Sequence, residues 1–135
     1  MRCLSTLLAV LSLFAFAGAA HARSGELVDP DPVAIPANLD QGKVAKDIKR
    51  ALIGRGWAVT AEHPGQIDST LHLRDHVARI RVSYDDRQVR FAYIDSSNLD
   101  YREKKGRRYI HRNYLGWIGY LVGDLSTNMQ VSATE

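Results

Sequence analysis

Apolar and polar positions change rhythm twice along this chain, and the changes mark out its elements. Over residues 40–53, Val44, Ile48, Ala51 and Leu52 recur at helical spacing, with Lys43, Lys46, Asp47, Lys49 and Arg50 between them. This predicts an amphipathic helix with Asp40 as its N-cap and Gly54 or Gly56 as its left-handed stop. The period then drops to two. Trp57, Val59 and Ala61 alternate with polar or small residues as far as a His63-Pro64-Gly65 turn. Ile67, Ser69, Leu71 and Leu73 continue the alternation, followed by Ala78, Ile80, Val82 and Tyr84 and then Val89, Phe91 and Tyr93. With Asp75-His76 closing a hairpin, Ala78, Ile80, Val82 and Tyr84 oppose Leu73, Leu71, Ser69 and Ile67, apolar on the same side throughout. Helical spacing returns over 111–125, where Tyr114, Trp117, Ile118, Leu121, Val122 and Leu125 join Ile110 in a broad stripe.

The fold class predicted is α+β: a two-layer sandwich of a four-stranded antiparallel meander with two helices on one face, in the order α-β-β-β-β-α. Residues 40–126 form this single domain. Residues 127–135 are polar and are expected to fray. Residues 95–109 read as a long polar loop. Residues 23–39 read as an extended N-terminal tether of low order, because Pro30, Pro32 and Pro36 block helix there.

The first 22 residues fit none of these patterns. Arg2 leads into an uncharged run from Leu4 to Ala20, and Ala20-His21-Ala22 has the small-x-small form of a cleavage site. This predicts a signal peptide over 1–22, a mature start at Arg23, and export to the periplasm or beyond. The apolar run is short for a spanning helix, which needs about 20 apolar residues, so no transmembrane segment is expected once the signal is cut. Cys3 is the single cysteine and precedes the run. The mature chain therefore has no thiol, no disulfide and no lipid-bearing cysteine.

Composition adds little to the domain but separates its surfaces. The chain has 135 residues, 45% hydrophobic and 24% charged, with a net charge of +3. That is ordinary globular composition and rules out repeat arrays and rods. The charge is local. Arg102, Lys104, Lys105, Arg107, Arg108 and Arg112 fall within eleven positions that hold one acid, Glu103. Tyr101 and Tyr109 flank the run. In an exported protein such a run meets anionic lipid head groups, acidic glycans or an envelope protein rather than nucleic acid. A solvated loop is the plainer reading. The candidate anion-binding residues are Lys104, Lys105, Arg107 and Arg108, with Arg79, Arg81 and Arg90 on the wet face of the meander. In the register above, His72 faces Arg79 and Thr70 faces Arg81. Long charged side chains on a sheet face also discourage edge pairing.

Candidate catalytic chemistry is thin. His72-x3-His76 has zinc-like spacing but straddles a strand and a turn, so neither a metal site nor any cofactor is assigned. Gly54-Arg55-Gly56 lacks the third glycine of a dinucleotide loop. No catalytic residues are assigned.

Pro64-Gly65, Arg74, His76, Tyr84-Asp85, Asp95-Ser96-Ser97-Asn98-Leu99, Tyr101, Ile110-His111-Arg112-Asn113-Tyr114 and Trp117 together resemble a family of small exported and lipoprotein-like proteins of proteobacteria. The resemblance covers most of residues 42–122 and implies export and a single domain. It brings no activity, and the missing lipid-bearing cysteine argues against a lipid anchor. Its polar members, Arg74, His76, Asp95, Asn98, His111 and Asn113, form a candidate polar site near turns and element ends. The function expected is a non-enzymatic binding or accessory module of the cell envelope. The alternatives are a small hydrolase or transferase with His76 or His111 as base and Asp95 as its orienter, or an inhibitor of a secreted enzyme presenting residues 102–108.

Overall fold

A computed structural model describes residues 23–135. Residues 1–22, where a signal peptide is expected, lie outside the described residues.

Asp40 caps the first helix as the sequence predicts. Its Oδ1 accepts the backbone N–H of Lys43 at 2.9 Å, and helix α1 runs Gln41–Gly54. Val44, Ile48, Ala51 and Leu52 are buried, so the predicted stripe is the packed face. Gly56 adopts a φ of 85°, and the Trp57 N–H donates back to the Leu52 carbonyl at 3.0 Å. A left-handed residue after the last turn reverses the chain in this way.

Four strands follow: β3 (Ala58–His63), β4 (Gln66–Leu73), β5 (His76–Tyr84) and β6 (Gln88–Ser97). Each pairs antiparallel with the next. Ile67, Leu71, Ala78, Ile80, Val82, Val89 and Phe91 are buried, and they join residues of both helices in one core cluster. The Asp85 carboxylate closes the last turn by accepting the N–H groups of Arg87 and Gln88 (2.7 and 2.9 Å). Those two bonds hold its carboxyl below the usual range.

The architecture is α+β, but the predicted four-stranded meander is incomplete. A short strand β2 (Val33–Ala34) adds to the edge of β6 and gives a five-stranded sheet of order β2-β6-β5-β4-β3. A second sheet of three strands has the order β1-β8-β7, with β1 at Ser24–Glu26, β7 at Arg102–Lys104 and β8 at Arg107–His111.

Three expectations are corrected along with it. The tether at 23–39 is extended but docked, because β1 and β2 each satisfy their backbone groups on a sheet edge. Leu27 and Leu39 are buried. The loop at 95–109 contains the β7–β8 hairpin. The tail at 127–135 does not fray at once: helix α2 runs Arg112–Ser132. Met129 and Ser132 extend the stripe of Leu121 and Leu125 against α1, where the Ser132 hydroxyl donates to Asp47 Oδ1 at 2.9 Å.

The β4–β5 register also differs, by two residues. Leu73 pairs with His76, Leu71 with Ala78, Ser69 with Ile80 and Ile67 with Val82. Arg74 takes a left-handed φ of 54°, so Arg74-Asp75 forms the turn and His76 joins the strand. A shift of two preserves which side each residue faces, because the strand period is two. It changes the cross-strand partners: Thr70 faces Arg79, His72 faces Val77, and Arg81 faces Asp68. No helix among the described residues is long and apolar enough to cross a membrane.

Candidate functional site

The basic run folds into a hairpin whose turn explains its tight return. Lys105 and Gly106 both have positive φ, 52° and 75°. Two left-handed residues in a two-residue loop match the right-handed twist of the flanking strands. Pairing sets Arg102 opposite Tyr109, Glu103 opposite Arg108 and Lys104 opposite Arg107. Strand alternation therefore divides the run between two faces.

The inner face anchors the hairpin. Ile110 is 0% exposed. Arg108 approaches Asp29 at 3.7 Å, while Asp29 also accepts the Tyr93 N–H at 3.1 Å. Tyr101 donates to Glu103 at 2.8 Å, and that bond raises the phenol above its ordinary value. Tyr93 stacks on Tyr101 (5.0 Å) and meets Tyr114 edge-on (5.6 Å), with burial pushing the Tyr114 phenol far up.

The outer face is cationic. Arg102, Lys104 and Arg107, with Lys105 from the turn, line an open cleft of about 740 Å³ whose far wall is β1. Arg112 closes one end, its Nε donating to the Ser24 carbonyl at 3.2 Å. The Arg102 guanidinium lies 5.8 Å from the Tyr109 ring centroid. Glu26 is the sole acid of the lining. Among the described residues, none of Arg102, Lys104, Lys105 and Arg107 forms an ion pair. The structure thus brings Lys104, Lys105 and Arg107 together and turns Arg108 away. It adds Arg102, Tyr109, Arg112 and the β1 residues. The wall from β1 was not legible in sequence, since a three-residue strand leaves no periodicity.

The wet face of the large sheet is built differently. Arg79 makes two bonds to Asp95 (2.6 and 2.9 Å), and Arg81 makes two to Asp68 (2.9 and 3.0 Å). A bulge creates the first pair. Register passes from Arg79–Asp95 to Ile80–Tyr93, leaving Ile94 as the extra residue. Without it, Asp95 would follow Phe91 and Tyr93 onto the apolar side. The Arg81 hydrogen bonds hold the Asp68 carboxyl below its ordinary range, and the partner carboxylates raise both arginines. Arg90 lies beside the Gln88 amide, which can turn its oxygen to accept both Nη2 and Nε.

The candidate polar site is partly assembled. His76 Nδ1 donates to the Asn98 carbonyl at 2.6 Å, and Asn98 Nδ2 donates to the Asp75 carbonyl at 2.8 Å. His111 Nδ1 accepts the Asn113 N–H at 3.1 Å and so caps α2. The two imidazoles lie 6.2 Å apart. A carbonyl only accepts, so His76 Nδ1 carries a proton, whereas His111 Nδ1 accepts and the His111 proton lies on Nε2. Metal binding through His111 Nε2 would therefore sacrifice the helix cap. Arg74 is exposed in its turn. Asp95, the orienter of the enzyme alternative, is held by Arg79 instead.

No family model matches the chain, and no curated protein or solved structure matches it either.

Proposed function

We propose that the protein is an exported module of the cell envelope, working in the periplasm by binding rather than catalysis. Its outer hairpin face holds anionic groups, with phosphate-bearing lipid head groups the favoured class and acidic glycans the alternative source of the same charge. One observation carries this reading: five cations, Arg102, Lys104, Lys105 and Arg107 of the hairpin and Arg112 at one end, share a cleft with a single acid, Glu26. On the large sheet, ion pairing neutralises Arg79 and Arg81 in place, whereas these side chains keep their charge for a ligand. Tyr109 offers an apolar surface beside them. The uncharged run from Leu4 to Ala20 and its Ala20-His21-Ala22 end support export, as does the resemblance to exported proteobacterial proteins.

Sedimentation with vesicles in low salt tests the binding. Phosphatidylglycerol vesicles should carry the protein down, phosphatidylcholine vesicles should not, and salt should release it. Reversing Arg102, Lys104, Lys105 and Arg107 to Glu should abolish the effect. Equal binding to both vesicles, or binding that survives the reversal, overturns the reading. Intact mass of the exported protein tests the compartment: a start at Arg23 is expected, and a species retaining Met1 contradicts it.

A further inference from the structure

Glu26 is the one acid in the lining of the basic cleft, and the fold makes no use of its side chain. It is exposed, and among the described residues its carboxylate takes part in no hydrogen bond or ion pair, although five cations share the cleft with it. On the large sheet, carboxylates within reach of arginine close on it, as Asp95 does on Arg79 and Asp68 on Arg81. Register explains why Glu26 does not. It pairs with Tyr109 on β8, and Tyr109 pairs with Arg102 on β7, so the three stand in one row across the small sheet. Neighbouring strands lie about 4.8 Å apart, which sets Glu26 and Arg102 about 10 Å from each other with Tyr109 between them. Lys104 and Arg107 form the next pair on the same face, about 7 Å further toward the turn.

The cleft thus carries most of its cations on the hairpin side and an unpaired acceptor on the β1 side. Arg112, also beside β1, has its Nε on the Ser24 carbonyl. A carboxylate in an anion site weakens the hold on every plain anion, because like charges repel. What it adds is an acceptor, since an ionised carboxylate only accepts.

We infer that the cleft selects a phosphate esterified to a small hydroxylated group, glycerol phosphate being the simplest, with Glu26 as the residue that reads the hydroxyls. The inference rests on the anion-binding reading above and specifies the head group that site takes. The phosphate lies among Arg102, Lys104 and Arg107, where an arginine fork can meet two of its oxygens at once. The ester substituent extends over Tyr109 toward β1, and its hydroxyl donates to the Glu26 carboxylate. A cationic substituent such as ethanolamine or choline would suit the carboxylate alone, but five cations against one acid leave the lining at +4 and repel it. A hydroxyl donates without bringing charge, so it satisfies Glu26 and the cations together.

Phosphatidylglycerol and phosphatidylmethanol carry the same single charge and differ in the hydroxyls of the head group. In vesicles holding equal amounts of either lipid in phosphatidylcholine, the protein should bind the first about tenfold more tightly, the size of one hydrogen bond to a charged group. Glu26→Ala, at an exposed edge position, should cut that preference to less than about twofold and tighten the binding of phosphatidylmethanol, since a like charge is gone. Glu26→Gln keeps an accepting oxygen and should retain part of the preference. Free glycerol phosphate should release the protein from phosphatidylglycerol vesicles at lower concentration than methyl phosphate does; release by neither keeps the class and assigns it to the bilayer lipid. Equal binding of the two lipids by the wild type overturns the inference and leaves the anion-binding reading standing, as does a Glu26→Ala variant that tightens on both lipids alike. Absence of binding to either lipid overturns both.

Discussion

The two basic regions of this molecule hold similar side chains and opposite electrostatics. On the five-stranded sheet, Arg79 and Arg81 each sit opposite an aspartate across a strand pair and close two bonds on it. On the β7–β8 hairpin, Arg102 faces Tyr109 and Lys104 faces Arg107, so the cross-strand neighbours carry no negative charge. Counting arginines and lysines does not distinguish the two. What distinguishes them is register, because a carboxylate directly opposite an arginine is about 5 Å away while one on the other face cannot reach it. Glu103 shows the second case: it stands in the middle of the basic run, yet alternation turns it to Tyr101.

The largest effect expected concerns how firmly the hairpin is built in. Ile110→Ala should cost about 2–5 kcal/mol in urea unfolding, the range for a buried aliphatic side chain removed from a core. A loss below about 1 kcal/mol would make the hairpin an appendage, and the contrast one between a fold and a loop.

Charge reversal comes next. Glu at Arg102, Lys104, Lys105 and Arg107 should lower affinity for anionic vesicles at least about tenfold in low salt, with a smaller difference in high salt as screening shortens its reach to ~3 Å at 1 M. The same vesicle assay should detect little change in Arg79→Gln, whose charge is already met by Asp95. An equal loss from both variants would break the comparison.

A smaller gain is expected in the opposite direction. Asp68→Asn with Asp95→Asn leaves Arg81 and Arg79 without their carboxylates, so the sheet face should acquire weak, salt-sensitive vesicle binding of its own. If it acquires none, free cations alone do not make an anion site here, and the cleft shape formed with β1 is the deciding feature.

The smallest effect lies in acid. The Arg81 bonds depress the Asp68 carboxyl, so its contribution is complete above the ordinary carboxylate pKa near 3.9 and is lost as pH falls through the lower folded value. The urea midpoint of the wild type should fall below about pH 4, and Asp68→Asn should flatten part of that fall. Asp85 and Asp124, also depressed, contribute in the same direction. An unchanged slope would show that the pair is formed to a similar degree in the unfolded chain.

Residue periodicity by itself determined the two helices, the four consecutive strands and the sidedness of the sheet, because each follows from which positions must leave water. Asp40 as a cap was equally legible, since capping acts over a few residues, while the stop was narrowed to Gly54 or Gly56 and the structure places it at Gly56. Three things waited for the tertiary structure. The β4–β5 register depended on Arg74 accepting a left-handed backbone, and a two-residue slip satisfies the same apolar pattern. The short strands β1 and β2 exist only because a sheet edge receives them. The separation of free from neutralised cations rests on the Ile94 bulge and on strands that meet from distant parts of the chain, so Arg79 and Lys104 look alike until their neighbours across the sheet are in place.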